Sequence, residues 1–178
     1  MEPVSAKHCD LANSAGHPRL VAPARECLEF TIGVRTPVLT MTGTTVLDLR
    51  TRNTGRSPVF VPRLDIQNHF VTVRLLHEDG SRVYWSLFGL NGDYVTSSAH
   101  FHPVCSGAVA SHTWRLVING GNEQFTGSEL LPIVEKPGRL SLQCTFHNDS
   151  VIIGRRCSGM KTAVGRVESN TVALEIVR

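Results

Sequence analysis

Short runs of alternating apolar and polar residues recur along this chain and constrain its fold more than any other feature. In "LEFTIGVR", Leu28, Phe30 and Ile32 alternate with Glu29 and Thr31. Because the side chains of a β-strand point alternately to its two faces, this period of two is typical of a strand with one buried face. Seven further segments show the same pattern: "VLDLRTRN", "PVFVP", the two halves of "FVTVRLLHEDGSRVYWS", "TWRLVI", "PGRLSLQCTF" and "TVALEIV".

Turn-forming residues separate these segments. Asp79-Gly80 lies between two alternating runs, where glycine readily adopts the positive φ angle of a tight hairpin turn. Pro58 and Pro62 flank the shortest run, and because proline cannot donate to a strand ladder, we place that strand at a sheet edge or a sheet crossing. No segment shows a convincing amphipathic helical period. The sequence therefore predicts an all-β fold of two packed antiparallel sheets, a β-sandwich.

The length of the chain, 178 residues, fits a single domain. Residues 1–25 lack the strand pattern and contain helix-breaking prolines, so we expect a flexible N-terminal tail followed by a sandwich domain over residues 26–178. Two connections, residues 87–111 and 148–170, are long and irregular. Connections of that length in a compact domain tend to be either functional or disordered.

Several features bear on where the protein works. No apolar run approaches the roughly 20 residues that span a bilayer, so no membrane span is expected. The N-terminal residues lack the apolar stretch of a secretory signal, which predicts a cytoplasmic protein, with secretion as the alternative if the native chain starts elsewhere. The five cysteines are irregularly spaced, unlike the disulfide frameworks of small secreted domains, so we expect reduced thiols.

A basic segment near the C-terminus is one candidate binding site. Arg155, Arg156 and Lys161 occur in "GRRCSGMKTAVGR", which contains no acidic residue. Such a segment can hold phosphates or an acidic partner, but a solvated loop is the simpler interpretation because no aromatic residues are interleaved. The formal net charge of the whole chain is only +3, and no nucleic-acid partner is expected.

The histidines of "AHFHP" are a second candidate site. His100 and His102 are two residues apart, so in an extended segment both imidazoles project to the same side and could share a metal ion, with His112 as a third ligand. An ordinary exposed loop is the favoured interpretation, because two histidines without a third ligand at a definite spacing are a weak signal. We therefore assign no metal site and no cofactor.

The sequence gives no reason to assign a catalytic residue. Cys105 and Cys157 each precede Ser-Gly, but a loop thiol without a base is the simpler interpretation, since the chain has no GxSxG motif. Cys144 falls on the inward side of its strand and is expected to pack as a small hydrophobic residue. Trp85 and Trp114 follow the inward rows of their strands, so we expect them in the core rather than on a binding surface.

The order of these segments resembles a known family. A strand ending in "RNTGRSPVFV", the hairpin "FVTVRLLHEDGSRVYWS", a later "WRLVI", "PGRLSLQCTF" and a closing "VESNTVALEIV" look like the immunoglobulin-like sandwiches of bacterial proteins. The bacterial intracellular proteinase inhibitors of the BsuPI type are one relative that the pattern distantly resembles, over roughly residues 26–178. This resemblance implies an immunoglobulin-like antiparallel β-sandwich of about 7–9 strands.

Taken together, the sequence favours a non-enzymatic protein-binding module that presents loops or an edge strand to a protein partner. The resemblance adds protease inhibition as one form of that function. A metal-dependent hydrolase using His100 and His102 is an alternative, and a structural subunit of a larger assembly is another, although the prolines of "PVFVP" would blunt strand addition. The candidate binding residues are Arg155, Arg156, Lys161, His100 and His102.

Overall fold

The computed structural model of the protein describes residues 21–64, 70–85, 101–120, 129–149 and 160–178. Within these ranges the chain forms thirteen β-strands and one helix of four residues. The protein is an all-β sandwich, as the alternating segments predict. No helix in those ranges is long and apolar enough to cross a membrane.

Seven of the described strands form the larger sheet. They are β1 (Val21–Pro23), β3 (Val38–Thr40), β5 (Val59–Pro62), β6 (Val71–His77), β8 (Phe101–Val104), β12 (Gly138–Asn148) and β13 (Lys161–Val177). The strand order is β6-β12-β13-β5-β8, and β1 and β3 also pair with β13. Pairing is antiparallel from β6 through β12 to β13 and between β5 and β8, but β13 runs parallel to β1, β3 and β5.

A second sheet packs on the larger one. Its described strands are β2 (Leu28–Val34), β4 (Thr44–Asn53), β9 (Val109–Val117) and β10 (Glu129–Leu130), in the order β10-β9-β4-β2. The first three pair antiparallel, whereas β10 runs parallel to β9. The two-residue strands β7 (Tyr84–Trp85) and β11 (Pro132–Ile133) pair with each other, and helix α1 (Ala24–Cys27) follows β1.

The inward rows of both sheets share one hydrophobic core. The largest fully buried side chains are Leu47, Leu49, Val61, Leu64, Leu75, Leu116, Ile118, Val134, Leu142, Phe146, Leu174 and Ile176. The ring of Phe30 on β2 lies 6.3 Å from that of Phe146 on β12, so aromatic contact crosses between the sheets. Each fully buried side chain of this size contributes about 1.5–3 kcal/mol relative to its exposed state. The core explains why the alternation in the sequence is a reliable guide to the fold.

All eight strands expected from the sequence are present. The other five, β1, β3, β8, β10 and β11, are two to four residues long. A period of two is a weak signal in runs that short. They account for the difference between the thirteen strands described and the expected 7–9.

The two connections expected to be irregular are partly strand. Residues 101–104 form β8, residues 109–111 begin β9, and residues 161–170 are the first part of β13. Residues 87–100 and 150–159 of these connections lie outside the described residues. The expected boundary between tail and domain falls inside α1, and both β1 and α1 pack on β13.

Strand β13 begins earlier than the sequence pattern indicates. A β-bulge within the strand changes which positions face the core, so the alternation of the second part does not extend into the first part. Before the bulge Val167 and Ser169 lie against the core, whereas after it Val172 and Leu174 do, so the inward positions change from odd to even numbers. The bulge shows in the pairing with β12, whose register shifts next to Cys144. A search for one uninterrupted period therefore finds only the second part of β13.

The side chain of Asn170, within the bulge, joins the two sheets. Its Oδ1 accepts a hydrogen bond from the N–H of Ile32 at 2.9 Å, and its Nδ2 donates to the Ile32 carbonyl at 3.0 Å. Ile32 lies on β2, which is the last strand of the smaller sheet. The amide side chain thus provides the hydrogen bonds that a neighbouring strand would otherwise supply to that edge.

The sequence places "PVFVP" at a sheet edge or a sheet crossing, and the first of these two positions is wrong. β5 lies between β13 and β8 and pairs with both. Pro58 precedes the strand and Pro62 is its last residue, so neither proline removes a donor from the middle of the ladder. These prolines therefore give no argument against strand addition elsewhere on the protein.

A buried asparagine, Asn53, connects the end of β4 to the larger sheet. Its side chain is inaccessible to solvent, and its Nδ2 donates to the carbonyls of Ser57 and Val104, each at 2.9 Å. Its Oδ1 accepts a hydrogen bond from the N–H of Gly55 at 2.9 Å. Because Val104 belongs to β8, this one side chain both shapes the turn after β4 and joins the two sheets.

Replacing Asn53 by alanine is expected to lower the free energy of unfolding by about 2–4 kcal/mol, because the carbonyls of Ser57 and Val104 lose their donor. Urea unfolding followed by circular dichroism measures this. The matched control is Arg52→Ala at the adjacent position, where an exposed ion pair to Glu29 at 3.9 Å should matter by no more than about 0.5 kcal/mol. Equal effects of the two substitutions would contradict the role assigned to Asn53.

Candidate functional site

The structure brings together two of the three histidines considered as metal ligands. His102 on β8 and His112 on β9 are both half-buried, and their ring centroids are 5.8 Å apart at an interplanar angle of 49°. The two strands belong to different sheets, so the rings meet where the sheets approach each other. His100 lies outside the described residues.

This pair alone is not a complete metal site. A catalytic zinc ion generally has three protein ligands and a structural one has four. Among the residues that the structure describes, no group of three or more His, Cys, Asp or Glu side chains could hold a metal ion. The two imidazoles are therefore a potential pair of ligands and no more.

Of the three candidate residues in the basic segment, only Lys161 is described. It is the first residue of β13, its side chain is exposed, and its backbone pairs with that of Val59 on β5. Strand β5 separates it from β8, the strand of His102. Arg155 and Arg156 lie outside the described residues, so the basic site as a whole stays a prediction.

The prediction that the thiols are reduced is wrong for Cys105, which is disulfide-bonded. Its partner lies outside the described residues. Cys27 and Cys144 are free and buried. Cysteine spacing alone does not reveal disulfide connectivity, which is why the sequence pattern misses this bond. A sulfur held in a disulfide is not a thiolate nucleophile, so Cys105 has no catalytic role in this state.

The two free thiols are also unreactive in the folded protein. Burial raises the pKa of the Cys144 thiol from 9.0 to about 12, which confirms its expected place in the core. Burial and then the nearby charge of Glu26 raise the pKa of the Cys27 thiol. The Cys27 Sγ–H donates to the carbonyl of Pro23 at 3.3 Å. At neutral pH both thiols are protonated, and both side chains pack in the hydrophobic core.

The raised pKa of Cys144 predicts a specific loss of stability at alkaline pH. Below the ordinary pKa of 9.0, folded and unfolded states are both protonated; above it only the unfolded thiol ionises until the pH reaches about 12. Between about pH 8 and pH 10.5, wild type should lose about 2 kcal/mol of unfolding free energy relative to Cys144→Ala. Urea unfolding of both proteins at both pH values measures this. A difference that does not change with pH would contradict the burial of this thiol.

A groove that the sequence did not indicate lies beside the hairpin of β6 and β7. The expected turn is present: Gly80 has a φ of 81°, and the Asp79 carboxylate accepts a hydrogen bond from the Ser81 N–H at 2.9 Å. A hydrogen bond from the Ser81 hydroxyl, and after it this hydrogen bond from the Ser81 N–H, lowers the pKa of the Asp79 carboxyl. Near the turn the hairpin is closed by a hydrogen bond from Val83 N–H to the carbonyl of Leu75 at 3.0 Å.

Beyond Val83 the two strands of the hairpin separate. β7 pairs with β11, through Trp85↔Pro132 and Tyr84↔Ile133, while β6 continues along β12. The space between them is a groove with a volume of about 430 Å³, a size found among ligand clefts. It is lined by Thr72, Val73, Arg74, Leu75, Arg82, Val83, Tyr84 and Trp85.

Along this groove the backbone of β6 has no strand partner among the described residues. In an antiparallel ladder, alternate residues direct both their N–H and C=O groups towards the same neighbour. The His147 N–H donates to the Phe70 carbonyl at 2.8 Å, so Phe70 is one of the residues whose backbone groups are directed towards β12. By the alternation of the ladder, the backbone groups of Thr72 and Arg74 are also directed towards β12, whereas those of Val71 and Val73 are directed towards the groove. No described residue provides a backbone partner for Val71 or Val73 on that side.

The open edge has no clear signal in the sequence. The inward positions before the turn are Val71, Val73 and Leu75, and apolar residues at Val83, Trp85 and Leu87 follow the turn at the same spacing. This pattern predicts a regular hairpin in which Val73 pairs with Trp85. The sequence does not show that β7 turns away to meet β11, because that pairing involves only two residues on each strand.

A smaller, mixed-charge hollow lies at the turn end of the hairpin. It has a volume of about 420 Å³ and is lined by His77, Glu78, Asp79, Lys136, Pro137, Gly138 and Arg139. Acidic and basic side chains are both present there, so it has no clear preference for one charge. The groove between β6 and β7 is the more defined feature, because it combines an unpaired strand edge with an apolar wall.

No protein-family model matches this chain, and no curated protein matches it. The resemblance to the BsuPI-type inhibitors therefore stays a prediction. The geometry of the described residues is the remaining guide to function. On that geometry, the open edge of β6 is the strongest candidate site.

Proposed function

We propose that this protein is a non-enzymatic binding module that recognises a protein partner through strand addition to β6. The observation that carries the proposal is that the N–H and C=O of Val73 face the groove between β6 and β7 and have no backbone partner in the described part of the chain. An exposed strand edge binds an extended peptide through main-chain hydrogen bonds, and neighbouring pockets for alternate side chains give specificity.

The rigidity of the sandwich supports this mode of binding. Leu75, on the inward row of β6, is 1% exposed, and β12 is hydrogen-bonded to the strand over its whole length. An edge that is already extended before a partner arrives loses little conformational entropy on binding. A protease is one class of partner that presents extended backbone, and inhibition of a protease is the form of the proposal that the resemblance favours.

The compartment in which the protein works belongs to the proposal as well. A cytoplasmic location was expected from the N-terminal residues, but the disulfide of Cys105 favours an oxidising compartment, because cytosolic thiols are normally kept reduced. The proposal therefore places the protein outside the reducing cytosol. The proposal includes no nucleic-acid partner, since the net charge is only +3.

A metal-dependent hydrolase is the second candidate, and the approach of His102 to His112 is the observation in its favour. This function requires stoichiometric metal in the purified protein, lost in a His102→Ala variant. Metal analysis of both proteins distinguishes it from the binding module, for which metal content does not affect partner binding.

Replacing Val73 by proline is expected to abolish partner capture, because proline removes the N–H that would pair with the added strand and introduces a ring at the open edge. Tagged wild-type protein and Val73→Pro are incubated with lysate of native source cells, and proteins retained at moderate salt are compared by mass spectrometry. The proposal expects at least one protein to be retained by wild type and lost from the variant.

Val73→Ala is the matched control, since it keeps the backbone N–H and removes only side-chain atoms. It should retain the same partner, and circular dichroism of all three proteins establishes that the variants are folded. Equal capture by wild type and Val73→Pro would show that binding does not use this edge.

A further inference from the structure

The side chains on the two sides of the groove between β6 and β7 differ in character. Because side chains alternate along a strand, Arg74 lies on the face opposite to the inward Leu75. The bridge between Leu76 and Arg82 places Arg82 on the same outer face as Arg74, and Tyr84 follows two residues later. Tyr84 is 78% exposed. The outer side of the groove therefore carries two cations and one exposed aromatic ring.

The inner side of the groove is apolar. Val73 and Leu75 on β6 face the interior, and Val83 and Trp85 after the turn do the same. Trp85 is only partly buried, so part of its ring lines the groove instead of the core. A side chain entering from this side would meet aliphatic and aromatic surface without a charge.

The two arginines are available to an incoming partner. Among the described residues, the arginines in ion pairs are Arg35, Arg52 and Arg115, and neither Arg74 nor Arg82 contacts a carboxylate. Arg74 donates only to the neutral amide of Gln143 on β12, at 2.5 Å. None of the described residues that line the groove is acidic.

The acidic residues nearest along the chain are in the hairpin turn and do not neutralise the groove. Glu78 and Asp79 line the separate hollow at the turn end, where Lys136 and Arg139 offset their charge. The groove thus presents an open backbone edge, an apolar inner wall and an unpaired positive outer rim.

We infer that the partner contributes an extended acidic segment in which carboxylate and apolar side chains alternate. This inference depends on the proposed strand addition to β6. The segment lies between β6 and β7, hydrogen-bonded to Val73, with its carboxylates beside Arg74 and Arg82 and its apolar side chains against Val83 and Trp85. A period of two in the partner matches the two chemically different sides of the groove.

A second copy of this chain is a poorer occupant. Pairing of β6 with β6 of another molecule would bring two sets of Arg74 and Arg82 to the same sheet face, and like charges across neighbouring strands are destabilising. An acidic strand from a different protein removes this repulsion and pairs both arginines.

The test uses two labelled octapeptides, one alternating valine with glutamate and one alternating valine with lysine, and measures their binding to the full chain by fluorescence anisotropy. We expect the acidic peptide to bind at least about tenfold more tightly than the basic one, and added salt to reduce that difference. Two further acidic peptides carry N-methyl groups on alternate amides, one at the odd positions and one at the even positions. The peptide whose methylated amides would face β6 should lose binding, because those amides can no longer donate hydrogen bonds to the strand.

The charge-reversed variant R74E/R82E should lose at least about tenfold in affinity for the acidic peptide, whereas Arg50→Glu on the outer face of the smaller sheet should leave it unchanged. Equal binding of the two octapeptides, equal loss in Arg50→Glu, or no binding of either peptide would overturn the inference. If the peptide test fails but Val73→Pro still loses a protein that wild type captures, strand addition to β6 stands and only the acidic character of the partner segment is wrong. If the peptide test fails and Val73→Pro captures the same proteins as wild type, strand addition and the acidic character are both wrong.

Discussion

The larger sheet depends on strand β13, because four strands pair with it directly: β1, β3, β5 and β12. The bulge next to Cys144 resets the alternation, so that both parts of β13 keep apolar residues against the core. The same bulge presents Asn170 to the edge of β2, which joins the two sheets.

Polar side chains stabilise the junctions between strands in addition to the hydrophobic core. Asn53 and Asn170 each satisfy main-chain groups where no neighbouring strand is present, and Asn119 does the same at the end of β9 by bonding to the carbonyls of Met41 and Val134. Unpaired backbone groups are costly where water is excluded, so each of these amides stabilises a junction between elements. In contrast, no described side chain provides such an amide at the edge of β6 beside Val73, and this is the edge proposed to take an external strand.

The alternation in the sequence was sufficient for the fold class and the eight main strands, because burial of one face selects apolar residues at every second position. It does not reveal β1, β3, β8, β10 or β11, in which runs of two to four residues give only a weak period, nor β13 across its bulge, where the period changes phase. The position of β5 was misjudged because Pro62 ends the strand rather than interrupting it. For the site, the sequence named His102 and Lys161 but not the groove, since the separation of β7 from β6 depends on a distant partner, β11.

Amide hydrogen exchange measured by NMR is the most direct test of whether the edge of β6 is open at Val73. The amides of Thr72 and Arg74 donate to β12 and should be protected, whereas those of Val71 and Val73 should exchange much faster, in an alternating pattern along the strand. Addition of the acidic octapeptide should slow the exchange of Val73. Exchange at Val73 as slow as at Arg74 in the unbound protein would contradict the account, because it would mean that the edge is already paired.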